Sequence, residues 1–260
     1  NFRGSSSVSG WSGRGGQTRN PFALDRNPSG SSSGSAAGVS ANLCVFAIGT
    51  ETNGSIVSPA SVCGVVGLKP TVGLVSRTGI IPIAASFDTA GPMTRTIRDA
   101  AIVLQAIAGR DLRDRATETI PADLAVDFAA ALKPGALRGA RIGVIRGMSV
   151  FRPWLEPVLT AAIARLREAG AEVEEIAEAP GGGAFGNASY QVMLYEFKDG
   201  VNAWLAGLGP TAKMKSLADV IAFNKAHRER ELPIFGQETL ILAQAKGPLT
   251  DKAYLDARST

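Results

Sequence analysis

Apolar positions along this chain follow two rhythms, and the change from one to the other marks out the elements. From Ser35 onward the small apolar residues Ala36, Ala37, Val39, Ala41 and Leu43 predict a buried helix packed closely on a neighbour. Residues 45–48 then read as a short buried strand. A turn at Gly54–Pro59 leads into short strands at Val65–Leu68 and Gly73–Val75, punctuated by Gly and Pro. Ile97, Ala101, Leu104 and Ala108 form one helical stripe, opened by a capping-box-like Thr96 and Asp99 and stopped by Gly109. Ala140–Ile145 reads as a strand. Leu155, Val158, Leu159, Ala162, Ile163 and Leu166 follow at helical spacing up to Gly170, and Ala171–Ile176 alternates as a further strand. Strand, helix, strand in this order predicts a βαβ unit and an α/β fold. The chain after Gly183 reads as mostly helical, broken at Pro210 and Pro233, with a last helix over Asp251–Ser259.

Residues 1–34 are rich in Gly, Ser and Arg, the composition of a flexible linker. They also carry Phe2, Trp11, Phe22, Leu24 and the turn pairs Asn20-Pro21 and Asn27-Pro28. Bulky aromatics and repeated rigid turns predict an ordered, loop-rich segment folded onto the core.

Composition narrows the function. Hydrophobic residues make up 45% of the 260 positions, enough for a large core in one domain spanning 1–260. No apolar run approaches the roughly 20 residues of a membrane span, and no signal peptide is visible. The first residue is Asn1 and the last helix has no stop signal, so a processed form or a fragment incomplete at both ends is expected. Net charge is +4, but bases alternate with acids, as in His227-Arg228-Glu229-Arg230-Glu231. That pattern argues against nucleic-acid binding. Cys44 and Cys63 both sit in apolar stretches and are expected to be buried reduced thiols. With two cysteines and one histidine, neither a disulfide framework nor a metal site is expected, and no cofactor is implied. A cytoplasmic location is the favoured expectation, and a homodimer is left open.

The informative chemistry is in serines. Ser29-Gly30-Ser31-Ser32-Ser33-Gly34-Ser35 is a Gly/Ser turn opening a helix, and Gly49-Thr50-Glu51-Thr52-Asn53-Gly54-Ser55-Ile56 is a strand end followed by a tight turn. A serine on such a turn projects outward while the preceding amides converge on what it attacks, as an oxyanion hole requires. A serine nucleophile needs a base. The only histidine, His227, stands among Lys225, Arg228 and Arg230 and reads as a solvated surface residue. Without a Ser-His-Asp triad or a Gly-x-Ser-x-Gly elbow, a lysine is the expected base. The Gly/Ser turn lacks the Gly-Lys-Ser/Thr ending of a phosphate-binding P-loop.

Between Gly10 and Ala108 these segments stand in order with Gly16-Gln17-Thr18-Arg19-Asn20-Pro21, Gly67-Leu68-Lys69-Pro70-Thr71, Gly73-Leu74-Val75-Ser76 and Asp88-Thr89-Ala90-Gly91-Pro92. Together the motifs resemble the amidase signature family, nearest to its bacterial peptide amidase-like members. The spacing of Ser31 and Ser55 is that family's spacing of bridging serine and nucleophile. The resemblance implies a mixed β-sheet core covered by helices on both faces, with 1–110 as the signature core and 111–260 as an α/β and helical remainder. It implies Ser55 as the acylated nucleophile and Ser31, after a cis Gly30–Ser31 bond, as the proton relay. The oxyanion hole falls on the amides of Thr52, Asn53, Gly54 and Ser55, with Ser32 and Thr50 in support and Ser5 on the pocket wall.

Two departures stand out. Asn53 replaces a family glycine, and Asn is the next best residue if φ there is positive. The family's catalytic lysine lies upstream of the Gly-Gln-Thr-Arg-Asn-Pro segment, before Asn1, and Lys69 belongs to a motif whose lysine is not the base. The resemblance implies an amidohydrolase releasing ammonia from a small-molecule or peptide carboxamide. Two alternatives are the amidase component of a glutamyl-tRNA amidotransferase and an inactive binding protein with the same fold.

Overall fold

A computed structural model describes residues 9–121, 124, 126–146, 153–178 and 182–260. Of the glycine-rich start, residues 9–34 fold as loops and turns onto the core, as the turn signals predict, while residues 1–8 with Phe2 lie outside the described residues. Strands β1 (Trp11–Ser12) and β2 (Gly16–Gln17) form a small hairpin. Asn20 is buried: its Nδ2 donates to the Val62 carbonyl at 2.8 Å while its Oδ1 accepts from the Phe22 amide at 2.9 Å. One side chain thus sets the local turn and ties it to the core.

The Ser/Ala run forms α1 (Ser33–Ser40), with Ala36, Ala37 and Val39 buried. Strand β3 (Phe46–Glu51) follows, then α2 (Val57–Val62), β4 (Val66–Gly67) and β5 (Thr89–Thr94). These strands form an antiparallel sheet of order β3-β5-β4. Two expectations are corrected here. Residues 45–48 are not a buried strand: β3 lies at the sheet edge, and Val45, Phe46 and Ile48 are exposed. Cys44, in the same lead-in, is exposed as well, whereas Cys63 is buried with its thiol pushed up by burial.

The buried strand is β5, all six of whose residues are buried, and its sequence hides it because Pro92 sits inside. Proline is normally kept out of a central strand for want of an N–H. Here the Pro92 carbonyl accepts from Leu68 N at 3.0 Å, so N and O of Pro92 face the β4 side, where β4 has already ended. The missing donor therefore takes nothing from the ladder with β3. Gly91 permits this close approach, since a Cβ there would lie 2.1 Å from the Leu68 carbonyl oxygen. Gly73–Val75 is likewise not a strand; Val75 makes only an isolated bridge to Ala108.

Helix α3 (Ile97–Ile107) opens as expected, with the Thr96 hydroxyl accepting from Asp99 N at 3.1 Å. Its buried face is Ala100, Ala101, Val103 and Leu104, while Ile97 faces outward. The βαβ unit also forms: β6 (Arg141–Ile145), α4 (Glu156–Glu168) and β7 (Glu172–Ile176), the two strands pairing in parallel. Of the predicted α4 stripe, Ile163 is buried and Leu155 and Val158 are exposed. Parallel and antiparallel pairings together bear out the α/β class, distributed over separate small sheets.

The helical remainder comprises α5 (Gly182–Ala206), α6 (Leu217–Ala226), α7 (Arg228–Glu231), α8 (Glu238–Gln244) and α9 (Lys252–Ser259). Leu194, Phe197, Val201, Leu205, Leu217 and Ala243 form its core, against which Ile83 packs. A second cluster of Ala36, Ile56, Ala60, Cys63 and Met93 lies beneath the serine turns. No helix among the described residues is long and apolar enough to cross a membrane.

Candidate active site

Two turns meet at the inner end of β3. The first precedes α1 and carries Gly30 and Ser31 across a cis peptide bond. The second joins β3 to α2 and carries Thr52, Asn53, Gly54 and Ser55. Ser32 N donates to the Ser55 carbonyl at 3.1 Å, which binds one turn to the other. The Ser32 hydroxyl both donates to the Thr50 carbonyl and accepts from the Thr50 amide, each at 3.1 Å. Ser32 therefore fastens the start of α1 to the end of β3.

The serines divide by what their hydroxyls do. Ser29 pairs with Ser58 at 2.7 Å, Ser33 donates to the Ser29 carbonyl, and Ser35 donates to the Ile48 carbonyl at 2.9 Å. Among the described residues, no such bond occupies the hydroxyl of Ser31 or Ser55. Both side chains are half-buried. Ser31 and Thr50 open onto a cavity of about 410 Å³ walled by Trp11, Ile81, Ile83, Phe197, Leu232 and Phe235.

The nucleophile turn is shaped by Glu51, which is buried and accepts from three amides: Gly54 at 2.8 Å, Ile56 at 2.7 Å and Val57 at 3.0 Å. This carboxylate caps α2 from within the turn. Gly54 has φ of 81°, the one left-handed position in the turn. Asn53 does not share that conformation, so the loss of a family glycine there carries no backbone penalty. The Gly54 amide is engaged by Glu51, whereas no acceptor among the described residues takes the amides of Thr52, Asn53 or Ser55.

Replacing Glu51 by alanine strands one buried and two part-buried donors. We expect a loss of about 3 kcal/mol, read as a lower urea midpoint at unchanged slope, with Glu51→Gln losing less because one acceptor oxygen survives.

Two carboxylates to which the sequence assigns no role belong to the same machinery. Asp88 Oδ1 accepts from the Thr52 hydroxyl at 2.5 Å, and its Oδ2 accepts from the amides of Ile83 and Ala84 at 2.8 and 2.9 Å. Burial pushes this carboxyl up, against those hydrogen bonds. Glu196 on α5 is buried and accepts from Ser86 N at 2.8 Å, from the Ser86 hydroxyl and from Tyr254 Oη at 2.7 Å. It locks α5 and α9 to the loop that holds Asp88, and so to the nucleophile turn. Asp88 stands in one of the family motifs, but Glu196 has no local signal because its partners lie far away in sequence.

Of the other candidates, His227 is exposed and stacks on Phe223, centroids 4.3 Å apart. Lys69 is exposed, with Nζ donating to the Pro70 carbonyl. No lysine among the described residues lines the cavity. Ser5 lies outside the described residues. No group of three metal-ligating side chains occurs among the described residues.

The Amidase family model matches residues 4–250. Native peptide amidase from Stenotrophomonas maltophilia superposes with a TM-score of 0.94 at 54% identity, over 100% of this chain and 53% of that one. A probable amidase from Arabidopsis thaliana is 42% identical over 96% of this chain and 49% of its own length. A glutamyl-tRNA(Gln) amidotransferase component from Roseiflexus castenholzii is 52% identical over 62% of this chain and 32% of its own. The chain thus spans about half the length of the peptide amidase and of the plant relative.

Proposed function

The chain belongs to the Amidase family, and from that premise we propose that the protein hydrolyses a carboxamide C–N bond through an acyl-enzyme on Ser55, with Ser31 relaying the proton. The observation that carries this reading is the pair of uncommitted hydroxyls. In a cluster where neighbouring serines spend theirs on the fold, the hydroxyls of Ser31 and Ser55 have no partner among the described residues, on turns joined by a hydrogen bond, and Ser31 lines the cavity.

In the proposed sequence Ser55 Oγ attacks the amide carbonyl carbon while its proton passes to Ser31, and the Ser31 proton passes to the base. The negative oxygen rests on the amides of Thr52, Asn53 and Ser55, donors already oriented and therefore effective without reorganisation. The Gly54 amide keeps the turn in shape through Glu51, and Ser32 and Thr50 steady the relay. The C–N bond then breaks as Ser31 returns a proton to the departing nitrogen, releasing ammonia. Water cleaves the Ser55 ester by the same route. Following the family resemblance, the proposal assigns the base to a lysine kept neutral by burial, in the part of the relatives that this chain does not span. The cavity's apolar walls suit a small-molecule or peptide amide.

A second reading, an ammonia-supplying component of an amidotransferase, draws on the identity to the Roseiflexus protein. Ammonia release from a simple carboxamide without ATP or a partner separates the two. The test of the main reading is labelling by a fluorophosphonate probe, followed by peptide mapping. One phosphonyl group on the peptide containing Ser55 is expected. Labelling elsewhere, or none, defeats the proposal, and none is also the outcome for an inactive binding protein.

A further inference from the structure

Within that cavity Glu231 is the one charged side chain among the described lining residues. It stands at the end of α7, with its side chain 18% exposed. One carboxylate oxygen is held by Arg230, through Nε at 2.7 Å and Nη2 at 2.6 Å. The other packs against Gly13, where a Cβ would come within 2.2 Å of it, so the hairpin yields room for the carboxylate. Trp11 meets Phe235 edge-on, ring centroids 5.3 Å apart, and closes the wall beside it. The Arg230 side chain is 68% exposed, so water screens its charge, whereas the carboxylate faces a wall of low dielectric. The cavity therefore presents one carboxylate among apolar and uncharged polar side chains, the latter including Asn224 and Gln237.

We infer that Glu231 is a specificity-determining residue: the cavity takes carboxamides whose acyl part carries a cationic amine, and Glu231 binds that amine. The inference rests on the hydrolase reading for the identity of the cavity. A cation entering an apolar cavity loses hydration and needs a fixed anion in return. Glu231, a carboxylate in the lining, supplies it. A cavity of about 410 Å³ has room for an amino-acid amide with its side chain.

The experiment compares N-acetyl-lysinamide with N-acetyl-norleucinamide, which differ in the terminal ammonium. The protein is expected to hydrolyse the lysine amide with kcat/KM about tenfold higher. Glu231→Gln should erase that preference, the larger loss falling on the lysine amide, whereas Arg230→Ala should raise the preference. Equal losses on both amides in Glu231→Gln, or an unchanged preference, overturn the inference. Calorimetric binding of the same two amides to the Ser55→Ala protein, with and without Glu231→Gln, reads the subsite without turnover. A preference seen there and lost with Glu231 supports it, and equal binding overturns it. Absence of hydrolysis by the wild-type protein strikes the hydrolase reading alone.

Discussion

Ser55→Ala is expected to reduce amide hydrolysis by roughly 10⁴-fold or more, the cost typical of deleting a covalent nucleophile whose oxyanion hole remains. The same substitution should abolish fluorophosphonate labelling. It should leave the fold intact, because the Ser55 hydroxyl makes no hydrogen bond among the described residues and the side chain is half-buried. The bond that ties this turn to the other runs from Ser32 N to the Ser55 backbone carbonyl, which alanine retains. Initial rates of ammonia release, beside thermal unfolding of the same preparation, decide the matter. Residual hydrolysis within tenfold of wild type would move the nucleophile elsewhere.

Ser31→Ala is expected to lower kcat for amides by about 10³- to 10⁴-fold with KM changed only a few-fold, since the proposed relay acts on the proton rather than on substrate binding. A second signature separates relay from structural damage. An ester with a good leaving group needs less protonation as it departs, so the variant should lose clearly less on such an ester than on the matching amide. Ser32→Ala offers the contrast: it removes the two bonds to Thr50 that fasten α1 to β3, and its effect should appear in stability as well as rate. Equal losses of Ser31→Ala on ester and amide would assign Ser31 a place in the scaffold only.

Much of the site was legible because its determinants are local. A Gly/Ser turn before a helix and a tight turn after a strand are written in consecutive residues, and so are the Thr96 cap and the β6-α4-β7 unit. The position of Gly54 follows from backbone sterics, since the turn needs φ of 81° there. The misleading signals were also local. Pro92 masks the most deeply buried strand, and the apolar run at 45–48 reads as interior although it leads into and forms part of β3 at the sheet's edge. Hydrophobic pattern reports what a segment prefers, whereas burial depends on which strand its neighbours choose to cover.

The sequence by itself determined the two turns, because turns depend on torsional preferences within a few residues, and the α/β class through its strand-helix-strand order, whereas the choice of Ser31 and Ser55 came from the family resemblance that the ordered motifs carry. Tertiary structure alone decided that Glu51 draws three amides inward, that Asp88 and Glu196 brace the nucleophile turn from loop and helix, and that Glu231 faces the same cavity as Ser31. Glu51 reaches only 3 to 6 positions along the chain, but the arrangements of Asp88, Glu196 and Glu231 join residues tens to hundreds of positions apart. Their energies come from hydrogen bonds and charge in a shared buried space, which exists only once the chain has closed around it.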